Sequence, residues 1–159
     1  MDQLARDIAA DMTGELLVVV VLKGSFVFAA DLIRALDRAG QSPRVDFITL
    51  SSYGAGTESK GNVALLRDIS EDVTGRRILL VDDIVDTGRT LKFAREELKR
   101  RGAAEVRTCL LLDKAMRRRE DIAPDYVGFP IEDRFVVGYG LDLAHMYRGL
   151  PYIGMVVPT

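Results

Sequence analysis

The sequence predicts an α/β protein built on an open, mainly parallel sheet with helices on both faces. Continuous apolar runs at Leu16–Leu22 and 78–81, and the largely apolar segment VRTCLLL at 106–112, are typical of strands that are buried on both faces of a parallel sheet. The first two runs are each followed by a segment whose apolar residues recur with helical periodicity. This alternation of strand, helix and strand places helices on both sides of one sheet.

The first half of the chain predicts two strands with a helix between them. After the strand at Leu16–Leu22, a helical stripe contains Ala29, Leu32 and Leu36 and ends before Gly40. A second strand is predicted at 44–50. The following segment, SSYGAGTESKGN, has too few apolar residues to belong to a core, and NVALLRD after it predicts a short strand.

The second half of the chain repeats the pattern and then changes in character. The strand at 78–81 leads to a helix with Leu91, Ala94 and Leu98 on one face and Gly102 at its end, and a strand at 106–112 follows. From 124 onward, short strand-like pieces are separated by glycine and proline. We therefore expect a single domain over 1–159, with a core at about 1–123 and a hood at about 124–159 that covers the carboxyl edge of the sheet.

Size and charge exclude several classes of function. The 159 residues are 48% hydrophobic, which suffices for one core, and the net charge of −2 gives no general attraction to nucleic acid or anionic membranes. The longest apolar run is too short to span a bilayer, and the start of the chain lacks the pattern of a signal peptide. Together with the single cysteine, Cys109, these features predict a cytoplasmic protein.

The most informative segment is ILLVDDIVDTGRT, where a buried strand leads through two acids into a turn and a helix. A small-residue turn before a helix directs backbone N–H groups and the positive helix end toward one point, which suits a phosphate. Two adjacent carboxylates suit ribose hydroxyls or a hydrated magnesium ion. The combination predicts a phosphorylated sugar as ligand, carried by these residues: Asp82, Asp83, Asp86, Thr87, Gly88, Arg89 and Thr90.

Each part of this segment also has a purely structural interpretation. Asp82 and Asp83 could end a solvated strand, but two like charges beside a buried strand cost stability unless a cation binds there. Receiver domains also carry an acidic pair, yet theirs lies near the N-terminus and no such turn follows at once. The turn could be an ordinary helix start capped by Asp86 or Thr87, which is compatible with an anion site because both use the same geometry.

Other polar residues follow predicted strands. Lys23 and Gly24 come directly after the first strand, and Lys114 follows Asp113 after the strand at 106–112, so all should lie at the carboxyl edge of the sheet where ligands bind. The run Arg117-Arg118-Arg119 is typical of a solvated helix face.

The chain resembles the purine phosphoribosyltransferases, most closely the bacterial hypoxanthine-guanine group, in the order and spacing of five segments. These are VLKGSFVFAADL, SSYG, ILLVDDIVDTGRTL, LLDK and PDYVGF…DRFVVGYGLDLAHMYRGLPYIG. The resemblance implies a type I phosphoribosyltransferase fold and transfer of the phosphoribosyl group from phosphoribosyl pyrophosphate to N9 of hypoxanthine or guanine. It further implies Mg²⁺ as cofactor and a homodimer or homotetramer.

The resemblance also implies a role for individual residues. Phosphoribosyl pyrophosphate would bind to Lys23, Gly24, Asp82, Asp83, Asp86, Thr87, Gly88, Arg89, Thr90 and Arg148. The purine would bind to Lys114, Phe135, Val136 and Asp142. Asp86 would be the general base, magnesium would bind to Asp82, Asp83 and Asp142, and Ser52 and Tyr53 would belong to a mobile loop. A cis peptide is expected between Lys23 and Gly24.

Two departures and two alternatives accompany this prediction. The first acid of the pair is commonly Glu in the related enzymes but is Asp82 here, and Lys60 stands where a small residue is common. Xanthine remains open as the preferred base, whereas adenine is disfavoured because Lys114 is a donor and suits a carbonyl at C6. The alternative from another class is a non-catalytic regulator on the same fold, for which neither an added DNA-binding domain nor a basic face is apparent.

Overall fold

The computed structural model describes residues 1–52 and 63–157, and the elements below refer to these residues. Tyr53 and Lys60 lie outside them. The helices are α1 (Asp2–Asp11), α2 (Phe26–Arg38) and α3 (Arg89–Arg100). The strands are β1 (Leu16–Leu22), β2 (Arg44–Ser52), β3 (Val63–Arg67), β4 (Arg77–Val85), β5 (Glu105–Asp113), β6 (Tyr126–Pro130), β7 (Val136–Val137) and β8 (Gly154–Met155).

Six strands form one sheet in the order β3-β2-β1-β4-β5-β6. All neighbouring pairs are parallel except β2 and β3, which are antiparallel. The structure thus confirms the predicted open, mainly parallel sheet. The carboxyl ends of β1, β4 and β5 are neighbours in this order, which brings the segments that follow these strands to one edge.

The two faces of the sheet pack against different helices. Alternate residues of β1 point to opposite faces: Val18 and Val20 join a core with α1 and α2, whereas Leu17 and Val19 join a core with α3. The predicted apolar face of α3, formed by Leu91, Ala94 and Leu98, is buried. Each large apolar side chain buried in this way stabilises the fold by about 1.5–3 kcal/mol.

The structure corrects the predicted boundary of the hood. The segment at 124–159 was interpreted as lying entirely over the sheet edge, but Tyr126–Pro130 is itself the sixth strand of the main sheet, with Cys109 of β5 paired to Tyr126. Only the later residues leave the sheet, where β7 and β8 form a small antiparallel pair. Gly128 and Pro130 lie within β6 and Pro124 just precedes it, so hydrophobic periodicity did not indicate that this short piece belongs to the main sheet.

Within the described residues, α2 is the longest helix with 13 residues, and none of the helices combines the length and apolarity that crossing a bilayer requires.

Candidate active site

The candidate site lies at the carboxyl edge of the sheet, where three neighbouring strands lead into polar segments. Lys23 and Gly24 follow β1, Asp86 follows β4, and Lys114 follows β5. The backbone N–H of Lys114 donates to the carbonyl of Val85 at 3.1 Å, so the segments after β4 and β5 are joined directly.

The turn after β4 leads into α3 through a glycine in the left-handed region. Gly88 has φ +88° and immediately precedes the first helical residue, Arg89. No side chain caps this helix start, so the alternative that Asp86 or Thr87 is the cap is wrong. A helix start without a side-chain cap leaves N–H donors and the positive end of the helix dipole for an anion.

The segment 118–122 holds this turn from behind. The guanidinium of Arg118 donates to the carbonyl of Asp86 at 3.3 Å and to the carbonyl of Ile122 at 2.9 Å, and it also pairs with Asp113. The carbonyl of Thr87 accepts N–H donors from the residues after Arg118, at 3.0 and 3.1 Å. A Cβ on Gly88 would lie 2.7 Å from the Ile122 side chain, so a larger residue does not fit between turn and support.

The prediction of a solvated helix face at 117–119 is therefore wrong for Arg118. Its side chain is only 15% exposed, and the α-helix expected there is a short 3₁₀ turn at Ala115–Arg117. Arg118 supports the turn before α3, a role that the sequence pattern did not reveal. Its place depends on contacts with residues 32 positions earlier.

The acidic pair lies inside β4, because the strand continues to Val85. Successive residues of a regular strand point to opposite faces, but the carboxyl groups of Asp82 and Asp83 lie close enough to hydrogen-bond to each other. Burial, reinforced by the negative charge of Asp83, raises the pKa of Asp82 well above its ordinary value of 3.8. Burial also raises the pKa of Asp83, although hydrogen bonds and the positive charge of Arg148 oppose this. Such a pair favours a cation or a hydrogen-bond donor as ligand.

Gly24 packs directly against Asp83. A Cβ on Gly24 would lie 1.7 Å from the Asp83 carboxylate, so only glycine permits this approach. On the other side, a Cβ on Gly140 would lie 2.2 Å from the Gly24 carbonyl oxygen. The backbone of Gly24 is therefore held between β4 and the hood, a contact made possible by two glycines.

The cis peptide bond was predicted one residue too late. The structure has it between Leu22 and Lys23, whereas the expectation placed it between Lys23 and Gly24. Neither bond involves proline, the residue with which cis peptides are ordinarily associated, so the residue types offered no signal for its place. Lys23 itself is exposed at the edge of the sheet.

A buried lysine faces Asp86. Lys114 is 6% exposed, and its Nζ lies 3.6 Å from Asp86 Oδ1 and 3.9 Å from Asp133 Oδ1. Asp86 Oδ1 is buried and, among the described residues, accepts no hydrogen bond. A carboxylate oxygen that is shielded from water yet lacks a donor is available to accept a proton from a ligand. The sequence did not identify Asp133 as a residue near the site, and it predicted a solvated helix face for Arg117, which lies near both Asp86 and Asp133.

The hood supplies an aromatic ring and a charged pair. Phe135, just before β7, is 54% exposed, which leaves its ring available for stacking. Arg148 donates to the Gly140 carbonyl at 2.8 Å and pairs with Asp142 Oδ1 at 2.8 Å. The other Asp142 oxygen accepts a hydrogen bond from the backbone N–H of His145 at 2.7 Å. Val136 is half-buried in β7.

The remaining predicted site residues divide into described and undescribed ones. Arg89 is half-exposed and lies 3.7 Å from Glu120, Thr90 is in the first turn of α3, and Ser52 is the last residue of β2. Tyr53 lies outside the described residues, so its predicted place in a mobile loop has no structural counterpart here.

The donor set fits magnesium brought in with a ligand better than a resident metal. Among the described residues, no three His, Cys, Asp or Glu side chains converge on one point. The carboxylates of Asp82 and Asp83 are hard oxygen donors in the strand that leads to the turn before α3, and Mg²⁺ typically takes one or two carboxylates and completes its shell with water and ligand phosphates.

Comparison with known proteins agrees with this arrangement. Residues 1–143 match the family described as the phosphoribosyl transferase domain. Hypoxanthine phosphoribosyltransferase of Salmonella typhimurium is 47% identical over 148 residues, which cover 92% of this chain and 81% of the relative. Hypoxanthine-guanine phosphoribosyltransferase of Bacillus subtilis is 43% identical over 159 residues, which cover 97% and 87%.

A solved structure shares both the fold and the sequence. The crystal structure of a hypoxanthine-guanine phosphoribosyltransferase from Bacillus anthracis superposes with a TM-score of 0.91 at 46% identity, covering 98% of this chain and 91% of that one. The six-stranded sheet with its small hood is accordingly the type I phosphoribosyltransferase fold. The chain belongs to the phosphoribosyltransferase family.

Proposed function

We propose that the protein is a purine salvage enzyme that transfers the phosphoribosyl group from phosphoribosyl pyrophosphate to N9 of hypoxanthine and guanine. The products are IMP or GMP and pyrophosphate. The observation that carries this proposal is the buried Lys114, whose Nζ lies 3.6 Å from an Asp86 oxygen that accepts no hydrogen bond from any described residue, in the turn before α3. A purine with a carbonyl at C6 offers both groups a partner.

The 5′-phosphate binds at the start of α3. The N–H groups from Asp86 to Thr90 and the positive end of the helix dipole stabilise its charge, and Arg118 behind the turn keeps these donors in place. Asp82 and Asp83 bind the ribose hydroxyls, since burial raises the pKa of both carboxyl groups and so favours a hydrogen-bond donor or a cation beside them. These two assignments are supported by the short distance along the chain between the acids in β4 and the turn before α3.

The pyrophosphate binds between β1 and the hood. Its proposed partners are Lys23, the backbone of Gly24 and the guanidinium of Arg148, and the close approach of Gly24 to Asp83 supports placing the pyrophosphate next to the ribose. One magnesium ion at Asp82 and Asp83 and a second at Asp142 would neutralise charge on the diphosphate. Both Asp142 oxygens already have one partner, and each carboxylate oxygen can accept a second.

The purine binds between Lys114 and Phe135. Lys114 donates to O6, Phe135 stacks on the ring, and the backbone of Val136 and Asp142 contacts the edge of the base. The C1′–O bond to pyrophosphate breaks while N9 forms the new bond with inversion at C1′. Positive charge develops on the ribose, as in glycosyl transfer generally. Asp86 takes the proton that the purine loses.

A panel of four bases tests the proposal. The purified protein is incubated with magnesium, phosphoribosyl pyrophosphate and hypoxanthine, guanine, xanthine or adenine, and nucleotide formation is followed by absorbance. We expect IMP and GMP at kcat/KM at least about 100-fold above adenine, because a site built around a hydrogen-bond donor rejects an amine in place of a carbonyl. If xanthine is the preferred base, the substrate assignment changes from hypoxanthine and guanine to xanthine. If none of the four bases yields a nucleotide, the proposed catalytic activity is wrong.

The family resemblance leads to two further proposals. We propose a homodimer or homotetramer, which analytical ultracentrifugation of the purified chain tests. We also propose a cytoplasmic location, which microscopy of a fluorescent fusion tests.

A further inference from the structure

Tyr139 has an unusual backbone conformation at the centre of the hood. Its φ is +52°, and its neighbours Gly138 and Gly140 have φ values of +94° and +100°. Three consecutive residues therefore adopt the left-handed region. A residue with a side chain loses about 1–2 kcal/mol in this conformation, so contacts outside the loop must keep Tyr139 there.

The contact that holds Tyr139 comes from α2. Its hydroxyl donates to the carboxylate of Asp31, and its backbone N–H donates to the carbonyl of Leu150 at 2.9 Å. The hydrogen bonds from Tyr139 and Arg34 lower the pKa of Asp31, which keeps the acceptor ionised. Burial and the nearby carboxylate raise the pKa of Tyr139, which keeps the donor protonated. The bond is therefore charge-assisted, the stronger class of hydrogen bond.

The residue after Tyr139 makes the closest approach between hood and sheet. Gly140 lies against the Gly24 carbonyl, and Gly24 lies against the Asp83 carboxylate. Gly140 also accepts a hydrogen bond from Arg148 through its carbonyl and donates to the Arg148 carbonyl at 2.9 Å. A shift of Tyr139 would thus move Gly140 and Arg148 relative to Gly24.

We propose that Tyr139 and Asp31 form a positioning pair that sets Gly24, Gly140 and Arg148 for pyrophosphate binding. The inference rests on the proposed function, because phosphoribosyl pyrophosphate is the ligand being positioned. Asp31 belongs to the helix that follows Gly24, and Tyr139 precedes Gly140. One hydrogen bond therefore joins α2, which follows Gly24, to the hood segment that contains Gly140 and Arg148, while neither side chain is among the proposed substrate contacts.

The test compares Tyr139→Phe, Asp31→Asn and the double variant with the wild type. We expect KM for phosphoribosyl pyrophosphate to rise about 10-fold in each single variant, the size of one lost hydrogen bond to a charged group. KM for hypoxanthine and kcat should change less than about threefold. The double variant should match the single ones, because removing either partner already removes the contact. Tyr152→Phe is the control, since Tyr152 is 60% exposed and its hydroxyl has no hydrogen bond with any described residue.

Calorimetric titration with phosphoribosyl pyrophosphate and magnesium separates this inference from the proposed function. If the wild type binds phosphoribosyl pyrophosphate but forms no nucleotide, the proposed function is wrong. The dissociation constants of the variants then still test whether Tyr139 and Asp31 position the site for this ligand. Unchanged affinity in Tyr139→Phe and Asp31→Asn would overturn the pair. Equal losses for both substrates with a lower unfolding temperature would also overturn it, since that is the result of a merely structural contact. If Tyr139→Phe does not fold, the affinity of Asp31→Asn for phosphoribosyl pyrophosphate tests the inference instead. A wild type that binds no phosphoribosyl pyrophosphate overturns both proposals.

Discussion

The Nζ atom of Lys114 lies 3.6 Å from Asp86 Oδ1, although the two residues follow different strands of the sheet. Register explains this closeness: Val85 at the end of β4 pairs with Asp113 at the end of β5, so the next residue of each strand emerges at the same level. The parallel sheet thereby sets a cation and a carboxylate side by side. Each can then act on a different atom of one ligand.

Replacing Lys114 by Met should damage purine use selectively. The variant keeps the buried stem and loses the ammonium, so the purine O6 loses a charged donor worth about 1.5–3 kcal/mol. We expect kcat/KM for hypoxanthine to fall by about 10- to 100-fold, while the dissociation constant for phosphoribosyl pyrophosphate stays within about threefold. Steady-state kinetics and calorimetry measure the two quantities. Lys99→Met, on the exposed end of α3, is the control, and equal damage to both substrates would contradict the assigned role.

Replacing Asp86 by Asn should slow turnover without abolishing binding. The amide keeps the shape of the side chain but cannot take up the purine proton, and general-base catalysis is typically worth about 100- to 10,000-fold. We expect kcat to fall within that range, with little change in affinity for phosphoribosyl pyrophosphate. Asp133→Asn is the matched comparison, because Asp133 is near the same lysine but 55% exposed; it should cost no more than about tenfold. Full turnover in Asp86→Asn would exclude this base.

The fold was predictable because its signals are local. The apolar segments of β1, β4 and β5 and the apolar face of α3 each arise from residues close together in the chain. The turn before α3 was predictable for the same reason, since its small residues and the following helix stand side by side. β6 was predicted only as one of several short strand-like pieces after 124, and its place in the main sheet was missed because it has only 5 residues and contains a glycine and a proline.

The supporting contacts of the site were not predictable because they join distant parts of the chain. Arg118 contacts Asp86 over 32 positions, and Tyr139 contacts Asp31 over 108 positions. The sequence Arg-Arg-Arg is the same whether all three side chains are solvated or one of them is buried. The sequence alone therefore could not show that Arg118 is buried. Only the path of the chain after β5 turns Arg118 inward.

The ion pairs of Glu97 near the end of α3 predict a pH-dependent stability. Hydrogen bonds from Arg100 and Arg101 lower the pKa of Glu97 from 4.5 to about 2. A lowered folded-state pKa contributes stability above pH 4.5, which is lost as the pH falls toward 2. We expect Glu97→Gln to lower the unfolding free energy by about 1 kcal/mol at pH 7, since the pairs are partly exposed and screened.

Urea unfolding between about pH 7 and pH 3 measures this difference. The gap between wild type and Glu97→Gln should narrow as the pH falls below 4.5, because the unfolded chain then takes up a proton at Glu97 while the folded carboxylate, with its pKa of about 2, stays ionised. Glu96→Gln is the matched control, since its side chain is exposed on the same helix. A gap that stays constant or widens toward low pH would show that the loss has another origin, such as packing.

Replacing Gly24 by Ala should impair substrate binding more than folding. The new Cβ would lie 1.7 Å from Asp83 Oδ2 and 2.8 Å from Asp83 Cγ, so the Asp83 side chain must rotate away. Overpacking of this kind costs about 1–3 kcal/mol, and a side chain that can turn keeps the cost near the lower end. The rotated carboxylate no longer faces the ribose, so we expect the dissociation constant for phosphoribosyl pyrophosphate to rise at least about 10-fold, the loss of one charge-assisted hydrogen bond.

Gly149→Ala makes this experiment specific. Gly149 lies next to Arg148 in the hood, yet a Cβ there would meet no atom within 4 Å and its φ is not in the left-handed region. Its dissociation constant for phosphoribosyl pyrophosphate should equal that of the wild type. If Gly24→Ala binds as tightly as Gly149→Ala, the carboxylate of Asp83 either does not move or does not contact the ribose. The crystal structure of Gly24→Ala distinguishes these two cases, because the first requires β1 to shift away from β4 and the second leaves the backbone in place.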